Sequence, residues 1–479
     1  MRSNALRTRL AAFALSVPAL LLAAAAGAAP AVDRSGDGEP AFRALYKELV
    51  ETNTSHSVGS CTLAAERMAA HLRAAGYAGD DVRLFSVPEA PKDGGLVARL
   101  AGSDPKEKGI LLLAHIDVVE AHREDWTRDP FQFIEEDGYY YGRGVSDDKA
   151  MAAIFTDLMV RLKQEGYKPR KRITMALTCG EETSGVFNGA DWLGKNHKDW
   201  IDADFAVNEG GSGELDEQGH RVNMGFEAAE KVYQDYQFES TNPGGHSSQP
   251  TPKNAMYEMA AALTRLSQHE FPVMFNDATR AYFGRMADIV GGANGAAMRA
   301  LLANPQDEHA NAVLSADKRW HSMLRTTCVA TMINGGHAPN ALAQRVDANV
   351  NCRIFPGVDV DAVRDALAKA VEGTGVTVTT KEPRSTAVPA PRMDPRVLAL
   401  VDKVSAELFP GTPVVPTMTT GATDGIFITG AGIPTYGIEG MFADPDLGHI
   451  HGLNERIRVS EIQNGRRFHY KFVKGYTGN

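Results

Sequence analysis

The chain has 479 residues, 43% apolar and 23% charged, a globular composition with material for more than one core-forming unit. Its 46 glycines and 24 prolines follow no fixed period, which excludes collagen-like and low-complexity classes. With 50 basic against 60 acidic residues the net charge is −10, the wrong sign for a protein that neutralises phosphates, so nucleic acid is excluded as a main partner.

Residues 1–28 read as a secretory signal peptide. Arg2, Arg7 and Arg9 precede an apolar run from Leu10 to Ala26, and Ala26-Gly27-Ala28 supplies a small-x-small cleavage signal. Pro18 interrupts that run and no second candidate span follows, so an exported, periplasmic or secreted product without a membrane span is expected.

Residues 41–76 read as a helix broken by a polar loop. Gly109 to His115 is a continuous apolar run too short for a helix, the pattern of a strand buried on both faces. A helix is expected from Ala150 to Gly166, a second buried strand from Arg172 to Cys179, a helix from Asp191 to His197 and a strand from Asp204 to Asn208. This alternation argues an α/β fold with a mainly parallel sheet, whose functional residues gather at the C-terminal ends of the strands. Residues 29–230 form the first part of that domain.

From Lys231 the pattern changes. Val232 to Glu239 alternates like a half-exposed strand, Asn254 to Gln268 is an apolar-faced helix, and 326–334 with 345–354 fit a hairpin about residue 340. A helix at 359–372 and a strand from Val376 to Thr380 complete an inserted, smaller α+β domain over 231–381, of lid or dimerisation type, with 271–325 as a helical insertion within it. The Pro-rich segment from Glu382 leads back to the first domain, resumed over 382–479 with a helix from Arg396 to Leu408 and a short strand from Ile433 to Gly437.

Four cysteines in a chain of this size make no disulfide scaffold. The proposed hairpin sets Cys328 opposite Cys352, where a cross-strand bridge and two packed thiols both stay open. Cys179 ends a strand with no base paired to it and reads as packing.

Acidic and histidine residues fall just after the predicted strands or on the loops beside them: His115 and Asp117, Asp147 and Asp148, Glu181 and Glu182, Glu209, and near the C-terminus His449 and His451. Two histidines with several carboxylates form the mixed nitrogen and oxygen set that suits zinc, and a site for two ions needs one carboxylate to bridge. Such a pair, about 3.5–4 Å apart, polarises a carbonyl and generates hydroxide near neutral pH, while a free carboxylate shuttles the proton.

At these residues the chain resembles the zinc exopeptidases that include aminoacylase-1, glutamate carboxypeptidase, carboxypeptidase S and succinyl-diaminopimelate desuccinylase, peptidase family M-twenty of clan MH. The motifs run in order through Leu113-Ala-His-Ile-Asp117, Gly142-Arg-Gly-Val-Ser-Asp-Asp-Lys149, Gly180-Glu-Glu182, Asn208-Glu-Gly-Gly211, Gly244-Gly-His-Ser-Ser248, Gly421-Ala-Thr-Asp424 and His451-Gly-Leu-Asn-Glu-Arg456. The resemblance implies that His115 and Glu209 bind one zinc, Glu182 and His451 the other, and Asp147 bridges both, with cobalt or manganese as substitutes. Glu181 is then the general base, and Asp117 the carboxylate that fixes the imidazole of His115. The family also suggests a cis peptide between Asp147 and Asp148. His246 is expected to stabilise the oxyanion. Arg353 and Asn340, aided by Gly421 and Thr423, resemble the holders of the substrate's terminal carboxylate. Whether His246 serves its own chain or a partner in a homodimer stays open. Ala150 and Gly180 depart from the usual motifs without removing a ligand.

Glu rather than Asp at position 209 resembles the carboxypeptidase and aminoacylase side of the family. The expected activity is therefore hydrolysis of a peptide or N-acyl amino acid amide bond next to a free C-terminal carboxylate, with an aminopeptidase or dipeptidase as the alternative. A serine hydrolase built on Ser247 or Ser248 with His246 lacks the G-x-S-x-G elbow. A metal-free binding protein on the same scaffold would normally have lost ligands, and all five are present.

Overall fold

The computed structural model describes residues 38–478, so the expected signal peptide lies outside the described residues. Its largest element is a ten-stranded mixed sheet. At the centre Ile173–Thr178, Ile110–His115, Phe205–Asn208 and Thr435–Gly437 lie side by side and parallel. Every residue of Ile110–His115 and of Ile173–Thr178 is buried, which explains their unbroken apolar sequence. Ile110, Leu112 and Ala114 enter the core beneath Glu39–Glu51, Cys61–Ala74, Lys149–Gln164 and Val459–Thr477, while Leu111 and Leu113 face Gly189–Asn196 on the other side.

The parallel centre matches the expected mainly parallel sheet, and antiparallel strands flank it. Ala90–Leu100 and Val82–Val87 join antiparallel at one side, and Arg221–Glu230 meets Thr435–Gly437 antiparallel at the other. These strands are faint in sequence because Ala90–Leu100 opens on Pro91-Lys92-Asp93-Gly94-Gly95, and the outlying strand Val414–Thr419 carries Pro416.

A separate four-stranded antiparallel sheet runs Thr327–Gly335, Arg345–Ile354, Val232–Thr241, Thr377–Thr380. With the helices Ala255–Gln268 and Val360–Ala370 it buries its own core around Tyr236, Phe238, Val350 and Leu367. The sequence analysis places 271–325 in this smaller unit. The helices Asp277–Val290, Gly292–Ala303, Glu308–Ser315 and Lys318–Met323 instead bury Tyr282, Phe283, Met286, Met298 and Trp320 in the large core, where Asp277–Val290 packs on Val414–Thr419.

The hairpin register sets Cys328 opposite Cys352, and the two are joined by a disulfide. A bulge between Ala330 and Met332 shifts the pairing beyond them. The reading of Cys179 as packing is corrected: it is bonded to Cys61, the first residue of Cys61–Ala74, a partner too remote in sequence for local spacing to reveal. Among the described residues no helix is long and apolar enough to cross a membrane.

Candidate metal centre

Three neighbouring parallel strands deliver the site at their C-terminal ends, as expected for a sheet of this kind. His115 is the last residue of its strand, Glu181 and Glu182 follow Ile173–Thr178, and Glu209 follows Phe205–Asn208. Asp147 lies just before the helix Lys149–Gln164, joined to Asp148 by a cis peptide bond. His451 comes from a loop in which Leu447, His449, His451 and Asn454 all adopt left-handed backbone, a conformation that non-glycine residues keep only where their surroundings hold it.

These side chains form two groups that share one carboxylate. Asp147 Oδ1 is 3.0 Å from His115 Nε2, and Glu209 Oε1 is 3.8 Å from the same nitrogen. Asp147 Oδ2 is 3.0 Å from His451 Nε2, which also lies 2.9 Å from Glu182 Oε2. The donor set fits a pair of divalent cations: two imidazoles and three carboxylates converge, and the buried Oε1 of Glu209 has no hydrogen-bond partner. Without cations the site holds protons. Burial opposes charge on His115, but the carboxylates around it, Glu209 foremost, raise its pKa well above the ordinary value. Hydrogen bonds to Asp147 and Glu182 raise His451 to about 10, and burial raises Glu209 to about 7. Asp147 is held below the usual carboxylate range by His115 and His451 against the effect of burial. Burial, reinforced by Glu209, lifts Glu181 well above that range.

A second layer fixes the ligands. His115 Nδ1 lies 3.1 Å from the main-chain oxygen of Asp117 and 3.5 Å from its Oδ1, so the imidazole is oriented first by the backbone. The other carboxylate oxygen of Asp117 accepts the N–H of Glu182 at 3.0 Å, tying one ligand strand to the next. Glu455 is fully buried and accepts N–H groups from Gly144, Ser146 and Asp147 at 2.9, 2.9 and 3.2 Å, while Arg143 donates to it at 2.8 Å. It therefore shapes the turn that presents the shared aspartate. Sequence reasoning did not single out Glu455, because its position in the run after His451 says nothing of burial.

The expected substrate-side residues divide between the two units. In the small unit, His246 pairs with Ala341 in a two-stranded sheet beside Asn340, whose carbonyl accepts the N–H of Ser247. His246 is exposed, and Ser248 lies 2.8 Å from its Nδ1. Arg353 stacks its guanidinium over the Tyr233 ring at 4.7 Å, close enough to Glu181 to feel its charge. In the large unit, Thr423 and Glu209 line a cavity of about 180 Å³ with Asp147, Met441, Leu447 and Ile450. The structure thus brings His115, Asp117, Asp147, Glu181, Glu182, Glu209 and His451 together. Among the described residues no hydrogen bond or ion pair joins His246, Asn340 or Arg353 to that group.

The human N-fatty-acyl-amino acid synthase/hydrolase PM20D1 is 27% identical over 388 residues, covering 78% of this chain and 75% of that protein. Probable carboxypeptidase S-like 2 of Dictyostelium discoideum is 27% identical over 398 residues, 79% of this chain and 74% of that one. Mouse aminoacylase-1 is 26% identical over 384 residues, 79% and 80%. The M20 family metallo-carboxypeptidase Sso-CP2 from Sulfolobus solfataricus shares the fold, with a TM-score of 0.68 at 17% identity over 91% of this chain and 99% of that one. Residues 111–475 match the family described as Peptidase family M20/M25/M40, and the chain, a hydrolase, belongs to it.

Proposed function

We propose that this chain hydrolyses N-acyl amino acids, and peptides read as such, at the amide bond next to a free C-terminal carboxylate. The observation that carries the reading is the shared carboxylate of Asp147 between His115 and His451, with Glu181 free beside it. His115, Asp147, Glu209, Glu182 and His451 would hold two zinc ions, which when bound would supply carbonyl polarisation and water activation. Cobalt or manganese would fit the same donors. Glu181 takes the proton of the attacking water and returns it to the leaving nitrogen, a role suited to a carboxyl whose pKa burial and Glu209 raise above the ordinary carboxylate range. His246 donates to the developing oxyanion when the small unit lies over the site, and Arg353 with Asn340 and the Gly421–Thr423 loop grips the terminal carboxylate.

The cavity beside Asp147 and Glu209 supports an acyl group on the other side of the bond, since Met441, Leu447 and Ile450 give it apolar walls. Leu447 and Ile450 are exposed, and a substrate chain would cover them. The relatives named as acting on N-acyl amino acids support the same choice. Glu227 and Glu439 in the same cavity favour a second reading, a dipeptidase that binds a free ammonium. Burial holds Glu227 well above the usual carboxylate range, which weakens that reading. A matched pair of N-acetylated and free dipeptides separates the two.

The disulfides support export to an oxidising compartment. A homodimer is supported by the outermost strand of the small sheet, Thr327–Gly335, which exposes Val329, Met332 and Ile333 near Met256 and Tyr257. Light scattering of the purified chain tests it.

A further inference from the structure

Thr423 turns its polar atoms away from the space in which a substrate would lie. Its amide and its hydroxyl both donate to Oε2 of Glu230, at 2.6 and 3.0 Å. The hydroxyl accepts from Asn208 Nδ2 at 3.0 Å and from the N–H of Gly425 at 3.0 Å. One donor and two lone pairs exhaust a hydroxyl, and the amide is spent on Glu230, so Thr423 has no donor left for a carboxylate. The N–H of Gly421 donates to Thr419 at 3.3 Å, and among the described residues no hydrogen bond takes the N–H of Ala422, so what the loop can give a carboxylate is that N–H, and its position depends on what holds Thr423.

Three observations give Glu230 that role. Asn208, the second partner of Thr423, immediately precedes Glu209, so the bond ties the loop to a strand end that carries a metal ligand. Asn208, Glu209, Glu230 and Thr423 line one cavity. Glu230 is also the last residue of Arg221–Glu230, and the next strand, Val232–Thr241, belongs to the small unit. Lys231 between them is buried and donates to Ser322 and Thr327 at 3.0 and 3.2 Å. Glu230 is thus bonded to the loop in the large unit, and Lys231 bridges the helix Lys318–Met323 of that unit and the first residue of the small sheet's strand Thr327–Gly335. Asp424 has its own anchors, Thr178 at 3.0 Å and Asn188 at 2.6 Å, so losing Glu230 loosens Thr423, which keeps its bonds to Asn208 and Gly425, without releasing Asp424.

We propose that Glu230 is a positioning residue for substrate binding: it holds Thr423 so that the Gly421–Thr423 backbone stands fixed beside the metal ligands at the crossing into the small unit. The proposal rests on the reading of that loop as facing the substrate. It predicts a binding defect rather than a chemical one, because among the described residues no hydrogen bond joins Glu230 or Thr423 to a metal ligand or to Glu181.

The test is steady-state kinetics of the zinc-loaded full chain on N-acetyl amino acids, with metal content and thermal midpoint measured alongside. Glu230→Ala is expected to raise KM about tenfold, the scale of losing two hydrogen bonds that each contribute modestly, with kcat within about threefold and two zinc ions retained. Glu230→Gln keeps an oxygen that accepts the same two donors and is expected to restore KM to within about threefold of the parent. An unchanged KM in Glu230→Ala, a rise that glutamine does not rescue, or loss of zinc overturns the proposal. Should Glu230→Ala fail to fold, Thr423→Val is compared with Thr423→Ser: a raised KM in the valine variant alone supports the proposal, and a parental KM overturns it. If the parent cleaves no N-acyl amino acid, the function reading fails, and the same variants are compared by KM on free dipeptides.

Discussion

Cys61 and Cys179, far apart in sequence, are bonded to each other, and the bond fixes the backbone two residues before Glu181. It closes a long loop that includes the strand ending in His115 and the turn of Asp147, so it restrains three of the site's segments at once. Removing it as Cys61→Ser with Cys179→Ser should destabilise the fold by about 2–4 kcal/mol, read as a lowered denaturation midpoint. Both sulfurs are buried, so mild reductant should leave the folded parent unchanged. An unchanged midpoint in the double variant contradicts this role.

Glu181 belongs to neither group of candidate ligands, yet it sits half-buried close enough to Glu209 and Glu182 to feel their charge. Glu181→Ala should retain two zinc ions and lose about 10²–10⁴-fold in kcat. Metal analysis and kinetics on the same sample check both parts, and parental turnover removes Glu181 as the proton shuttle.

Cations and protons compete for the same donor atoms. Hydrogen bonds to Asp147 and Glu182 raise His451 to about 10, and burial raises Glu209 to about 7, so both donors hold protons more tightly than usual near neutral pH. Affinity should rise as pH rises through this window, because fewer protons then compete, and each zinc bound at pH 7 should release protons. Calorimetry in buffers of different ionisation enthalpy measures that release. Zinc binding at pH 7 with no proton release contradicts the assignment of His451 and Glu209.

His115, Glu182 and Glu209 were legible in sequence because each ends or follows a strand whose apolar run announces itself, as in Ile110–His115, whereas Asp147 before a helix and His451 on a loop stood out only through the motifs around them. The second layer was less so. Asp117 orients His115 first through its main-chain oxygen, which no residue type reveals, and Glu455 matters for bonds to three amides that only the folded turn assembles. Thr423 was expected to meet the substrate, and its hydroxyl is instead spent on Glu230 and Asn208. The outer strands were hidden by Gly94, Gly95 and Pro416, whose local preferences are overridden by strand pairing, Gly95 opposite Phe85 and Pro416 opposite Phe226.

The apolar wall of Leu447 and Ile450 should make kcat/KM climb with acyl length in a series of N-acyl derivatives of one amino acid, by up to about fourfold per methylene while the chain is still being buried. Leu447→Ser with Ile450→Ser should flatten the series and spare the acetyl member. A flat series in the parent moves the acyl group elsewhere.

The central claim is that the enzyme reads a free carboxylate beside the bond it cuts. The direct measurement incubates zinc-loaded protein with matched dipeptides bearing free, acetylated or amidated ends and identifies the products by mass spectrometry. Cleavage that tolerates N-acetylation, is abolished by C-amidation, and loses its preference for the free carboxylate in Arg353→Ala is the predicted result. Cleavage only of substrates with a free amino terminus contradicts it and makes the protein an aminopeptidase or dipeptidase.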